Sequence, residues 1–248
     1  MLLEVSLMTV FLAALITALA TGLGAIPLAF ARQVGDRWLA AGAALAAGLM
    51  LAASHGLVTE GSAIEPWRVL LGMLSGLLLV VLADRWLDRH QTPDVSELQG
   101  ADAKKALVIV GVMTIHSFAE GIGVGVSYGG GEDLGVFITT AIAVHNIPEG
   151  LAIALVLVPR GMPVWQAAWW AVFSSLPQPL MAIPAYLFVT AFEPFLPIGL
   201  GLAAGAMIWM VFAEMLPDAL RGLSGRAVGA TVVFAFMAMF AFQLLIAR

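Results

Sequence analysis

The chain has 248 residues, 61% of them hydrophobic and only 11% charged, with a formal net charge of −5. Soluble domains carry about 25% charged residues, so this composition, with a mean hydropathy of +1.00, makes lipid the solvent and leaves no polar run long enough for a soluble domain. The few, scattered basic residues exclude a nucleic-acid groove, and the lack of cysteine excludes disulfides, thiolate metal sites and sulfur redox chemistry.

A bilayer core of about 30 Å needs roughly 20 apolar residues per helix. On that ruler the sequence predicts eight spans, at 4–31, 38–59, 67–87, 104–128, 134–158, 163–190, 194–217 and 225–247, forming one all-α transmembrane domain over 1–248. The first span follows no basic n-region or small-residue cleavage site and reads as a retained helix. The second carries Met50, expected to pack, and ends on His55 and Glu60, expected at a solvated helix end. The third and fourth are joined by the longest connection, the mixed-charge run from Arg89 to Lys105. Glu132 and Asp133 lie in the Gly-rich connection before the fifth, and Glu214 and Asp218 stand near the end of the seventh, where they could line an exit.

Lysine and arginine set the orientation. Arg32, Arg37, Arg85, Arg89, Lys104, Lys105, Arg160, Arg221 and Arg226 fall on one side of the predicted topology, against Arg68 and Arg248 on the other. The first side is expected to be cytoplasmic, with both termini extracytoplasmic and the chain in the inner (plasma) membrane.

Two short motifs recur at one offset. Ala25-Ile26-Pro27 returns as Ala182-Ile183-Pro184, and Leu45-Ala46-Ala47-Gly48-x-Met50 returns as Leu202-Ala203-Ala204-Gly205-x-Met207. That offset spans five helices, so the second copy is inverted in the membrane. Spans 1–3 and 6–8 are expected as inverted repeats around spans 4 and 5, an architecture that in secondary transporters puts the substrate site near the midplane.

The chemistry sits in spans 4 and 5. His116-Ser117-Phe118-Ala119-Glu120-Gly121 and His145-Asn146-Ile147-Pro148-Glu149-Gly150 each put an imidazole and a carboxylate on one helix face, one turn apart. Both pairs fall near mid-span on helices expected to run antiparallel, hence at similar depth. A charge there costs several kcal/mol, and no Lys or Arg lies in the core of either helix to pair with it. Two neutral imidazoles and two carboxylates balance one dication, and mixed N/O ligation suits Zn²⁺ and its neighbours better than Mg²⁺ or Ca²⁺. Pro148 frees the Val144 carbonyl, and Pro177-Gln178-Pro179 frees two more beside a polar side chain. Gln178 is thereby a fifth candidate ligand or a donor to a glutamate. The glycines of Gly121-x-Gly123-x-Gly125 are expected to serve close helix packing.

At the two His-x-x-x-Glu-Gly motifs the chain resembles the ZIP (Zrt/Irt-like) metal transporters, closest to their bacterial branches, and the resemblance covers all eight spans. It implies a 3+2+3 helix arrangement, transport of a divalent metal toward the cytoplasm by alternating access, no cofactor, and a homodimer in the lipid bilayer. Zinc is the implied cargo, with cadmium, iron, manganese and cobalt as alternatives, and an elevator motion of spans 1, 4, 5 and 6 is proposed for relatives. The implied metal site comprises His116, Glu120, His145 and Glu149, with Gln178, Asn146 and Ser117 at its margin. Ser117, Ala119 and Gln178 depart from the family's frequent Asn, Pro and Glu. Two dications against two carboxylates would leave excess charge, so one tightly held metal is expected. His90 is the only histidine of the connection before span 4, so no His-rich sensor loop is expected. Two other readings of the same ligands are an intramembrane zinc hydrolase, which would need an open coordination position, and a metal sensor that binds without transport.

Overall fold

The computed structural model describes residues 5–30, 35–90, 101–158 and 161–246, and these form helices joined by short turns with no strand among them. In chain order the helices are α1 (Leu7–Leu23), α2 (Pro27–Phe30), α3 (Asp36–Ile64), α4 (Pro66–His90), α5 (Ala101–Gly129), α6 (Glu132–Leu157), α7 (Val164–Ser175), α8 (Pro177–Ala191), α9 (Leu196–Met210), α10 (Leu216–Gly222) and α11 (Gly225–Ile246). A 3₁₀ turn, Glu193–Phe195, precedes α9, and a π turn, Val211–Met215, joins α9 to α10. Grouped as α1/α2, α3, α4, α5, α6, α7/α8, α9/α10 and α11, they are eight rods matching the eight predicted spans. Among the described residues, six rods are long and apolar enough to cross a membrane: Leu7–Phe30, Asp36–Ile64, Glu132–Leu157, Val164–Ala191, Glu193–Gly222 and Gly225–Leu245. The apolar part of α4 is the shorter Pro66–Leu82, and α5 carries His116 and Glu120 along its length. Arg32, Arg160, Arg248 and most of the connection after His90 lie outside the described residues.

Three rods are interrupted, each at a proline. Pro27 has no N–H to give the Leu23 carbonyl, which accepts instead from Ile26 N–H at 3.1 Å. Phe173, left without the N–H of Pro177, accepts from Leu176 N–H at 3.2 Å. Pro217 withholds a bond from Ala213, and the ladder there loosens to a π turn closed by Leu216 N–H on the Val211 carbonyl. Two other prolines do not interrupt: α6 runs through Pro148 and α8 through Pro184. Pro27 and Pro184 are counterparts in the repeat, so the repeat does not extend to the breaks.

It does extend to the packing. α4 lies along α9 as α11 lies along α3, and α5 lies along α8 as α6 lies along α1. Each relation maps onto the other when spans 1–3 exchange with 6–8 and span 4 with 5. The repeated glycines make the same contact in each half: a Cβ on Gly48 would stand 2.3 Å from the Val232 carbonyl oxygen of α11, and one on Gly205 would stand 2.3 Å from the Met73 carbonyl oxygen of α4. Only hydrogen fits at either place, which explains why the motif reads Ala-Ala-Gly.

The core is rich in alanine, and many of the large apolar side chains lie outside. Ala13, Ala14, Ala46, Ala47, Met50, Ala203, Ala204 and Met207 are buried in the main core, whereas Leu70, Leu74, Leu78, Phe234, Met237 and Leu245 face outward. In lipid, helix association gains nothing from hiding leucine and depends on close backbone approach. Gly205→Ala is therefore expected to destabilise the bundle by about 1–3 kcal/mol through overpacking. Gly229→Ala on α11, where an added Cβ meets nothing within 4 Å, should leave the melting temperature in detergent unchanged or raise it. Equal melting of the two variants would show that the α4–α9 approach does not limit stability.

Candidate metal centre

The spacing of four residues puts His116 over Glu120 on α5 and His145 over Glu149 on α6. The tight turn at Gly130 and Gly131 sets the two helices antiparallel side by side, and the four side chains converge between them. Their ligand atoms all lie within 4.8 Å of one another, the single such group of three or more metal-binding residues among the described residues.

The pairing is crossed. His116 Nε2 lies 2.8 Å from Glu149 Oε1 and 3.2 Å from Glu120 Oε1, and His145 Nε2 lies 2.6 Å from Glu120 Oε1 and 4.0 Å from Glu149 Oε1. Each histidine thus sits closer to the glutamate of the other helix than to its own. Ligand atoms around a tetrahedral zinc at about 2.0–2.1 Å stand about 3.3 Å apart, within the span of these separations. His145 Nδ1–H donates to the Ala141 carbonyl at 3.1 Å, which turns Nε2 inward and fixes the tautomer a metal ligand needs. An imidazole lone pair facing a carboxylate at this range needs a proton or a cation between them. His116 Nδ1 meets no hydrogen-bonding partner among the described residues. Relative exposures of 1% for His116, 0% for Glu120 and His145 and 3% for Glu149 exclude bulk water.

The glycine after each pair draws in a further helix. A Cβ on Gly121 would stand 2.5 Å from the Gln178 carbonyl oxygen, and one on Gly150 would stand 1.6 Å from that of Thr21. Here α8 touches α5 and α1 touches α6 backbone to backbone. The expected packing role of the glycine run holds also at Gly125, where a Cβ would meet the Ala182 carbonyl oxygen at 2.1 Å.

Gln178 reaches the cluster by its amide nitrogen, which donates to Glu120 Oε2. Its oxygen accepts from Thr17 Oγ1 and from Asn146 Nδ2 at 3.3 Å. Asn146 Nδ2 also donates to the Thr17 backbone carbonyl at 2.9 Å, and Asn146 Oδ1 has no partner. Ser117 is buried, one residue past His116 and so about 100° round the helix from it. One turn along α1, the Thr21 and Ser175 hydroxyls bond at 2.9 Å. Sequence reasoning missed Thr17, Thr21 and Ser175, since a hydroxyl in an apolar helix ordinarily bonds its own backbone, as Thr17 Oγ1 also does to Ala14 at 2.7 Å.

The peripheral candidates stay apart from this cluster. His55 is exposed, edge-on to Phe236 and Phe240, and Met50 is buried in the core. Glu60, Glu132 and Asp133 are exposed. Asp218 pairs with Arg221 at 2.9 Å on the surface, and Glu214 belongs to the π turn.

Comparison with known proteins places this geometry in a family. The model described as ZIP Zinc transporter matches residues 87–247, which include both His-x-x-x-Glu-Gly helices and Gln178. An Arabidopsis thaliana protein named "putative zinc transporter" is 45% identical over 95% of this chain, which spans 38% of that protein's length. Zinc transporter ZIPB of Bordetella bronchiseptica is 35% identical over 86% of the chain and 72% of its own length, and zinc transporter GufA of Myxococcus xanthus is 30% identical over 85% and 88%. The match extends over more than half of the chain and takes in the buried histidine–glutamate cluster with the helices that enclose it: the chain belongs to the ZIP zinc transporter family.

Proposed function

We propose that this protein moves a divalent transition-metal ion, zinc foremost, across the membrane toward the cytoplasm. His116, Glu120, His145 and Glu149 are its ligands. The observation that carries the reading is the burial of two carboxylates and two imidazoles within 4.8 Å of one another, midway along membrane helices and with a combined charge that one dication neutralises. An ion there has exchanged its hydration for four protein ligands, which is how a dication crosses a low-dielectric region without the full cost of desolvation.

A site closed on all sides must open alternately to each face. The polar links around the cluster all join α1, α5, α6, α7 and α8, which supports spans 1, 4, 5 and 6 as one unit moving against the others. The excess of Lys and Arg on one side of the predicted topology supports delivery to the cytoplasm through an inner (plasma) membrane, with both termini outside, and the family resemblance supports a homodimer. Four side-chain ligands fill a tetrahedral zinc shell, which favours carriage over hydrolysis, since a hydrolase keeps one position for water.

Zinc uptake into proteoliposomes should fall at least about tenfold in His145→Ala and Glu149→Ala, since even partners outside the ligand shell are worth that much to a metal site. Normal uptake by Glu149→Ala would remove that residue from the site. Excess Cd²⁺ or Co²⁺ should compete with zinc and excess Mg²⁺ or Ca²⁺ should not, because two imidazole nitrogens replace the oxygens that hard cations require. Competition by Mg²⁺ equal to that by Cd²⁺ would place the transported ion elsewhere.

A further inference from the structure

Gln178 touches Glu120 through an atom that cannot bind metal: an amide NH₂ has no lone pair to offer. The atom that could ligate, its carbonyl oxygen, accepts from the Asn146 amide and shares the single Thr17 hydroxyl proton with the Ala14 carbonyl. Reversing the Gln178 amide would set its oxygen against the Glu120 carboxylate and its NH₂ against that of Asn146, so the orientation is fixed at both ends. Thr17, Asn146, Gln178 and Glu120 are each 0% exposed, and no bulk water competes for these bonds.

The arrangement breaks the symmetry of the repeat. The counterpart of Gln178 at the repeat offset is Thr21, and Thr21 spends its hydroxyl on Ser175 and more distantly on the Thr17 carbonyl at 3.4 Å. Glu120 is pinned by a helix outside the α5–α6 pair, whereas the ion-pair contacts of Glu149 run to His116 and His145.

We propose that Thr17 and Gln178 are positioning residues of the metal site: the Thr17 hydroxyl sets the Gln178 amide, whose NH₂ occupies Glu120 Oε2 and leaves Oε1 alone to meet the ion. This rests on the four-ligand reading above. Glu120 then serves as a fixed, one-oxygen ligand, and Glu149 is the carboxylate free to follow or release the ion. The neutrality of Gln178 matters too, because it orients an acid without adding a third negative charge that would hold the dication too tightly to leave.

The test is zinc affinity of the purified protein in detergent, measured by competition with a fluorescent chelator. Thr17→Val removes the hydroxyl but keeps the backbone carbonyl that Asn146 uses, and should weaken zinc binding up to about tenfold, the upper end for one lost hydrogen bond between neutral groups. Thr17→Ser should restore affinity to within about twofold, since only the hydroxyl is required. Gln178→Leu should weaken binding at least as much, and the double variant Thr17→Val/Gln178→Leu no further than Gln178→Leu alone, because Thr17 acts through the amide. Independent, multiplying losses in the double variant would overturn the proposal. So would a Thr17→Ser protein that melts like the parent yet binds as poorly as Thr17→Val. Glu149→Ala separates the two levels: if it binds normally the site itself is misassigned, and if it loses zinc while Thr17→Val retains full affinity, only the positioning role fails.

Discussion

Two carboxylates buried where lipid surrounds the bundle are the constraint on which this structure turns. Hydrocarbon gives them no solvation, and the helices that carry them bring histidine rather than lysine or arginine to meet them. Imidazole can share a proton with a carboxylate or give up its lone pair to a cation, so the same four groups are satisfied both with an ion and without one. A lysine would have neutralised the acids permanently and closed the site to a dication. The crossed pairing follows from this: each histidine closes on the acid of the opposite helix, so neither helix can shift without exposing charge on both.

The glycines answer the same constraint from the backbone side. Glu120 and Glu149 are each followed by a glycine that admits another helix to direct backbone contact, and those helices bring the amide and hydroxyls that complete the polar shell. Motif and packing are one device, in which the buried carboxylate and the space for its support are adjacent in the chain. The inverted repeat gives this device two-fold form, and Gln178 facing Thr21 across it makes the two halves unequal.

The architecture was legible in the sequence because membrane helices are read by length and hydropathy, and backbone satisfaction in lipid admits little besides helices. The four central residues were legible because a spacing of four on a helix is a statement about faces, and because charge at depth is costly. The crossed pairing was not, since sequence spacing relates His116 to Glu120 and says nothing of the rotation of one helix against another. Thr17 was invisible for a related reason: its one hydroxyl proton is shared between the ordinary acceptor in its own helix and the one that serves the site. The orientation of the Gln178 amide depends on donors from two other helices and has no local signature. Pro27 and Pro184 show the limit of motif reading, since identical tripeptides end a helix in one half and leave it continuous in the other.

The π turn at Val211–Met215 acts as a concealed one-residue insertion in the seventh rod. Adding a residue to one turn rotates everything beyond it by about 100°. Upstream of that turn the rod packs on α4, where Gly205 meets the backbone, and on α3 as well; downstream it stays on α3, where Ala219 packs with Ala44. Pro217 makes the looser turn inexpensive, because the bond that a regular ladder would place there is one proline cannot make. The loosened turn falls where the seventh rod gives up its packing on the third and continues along the second.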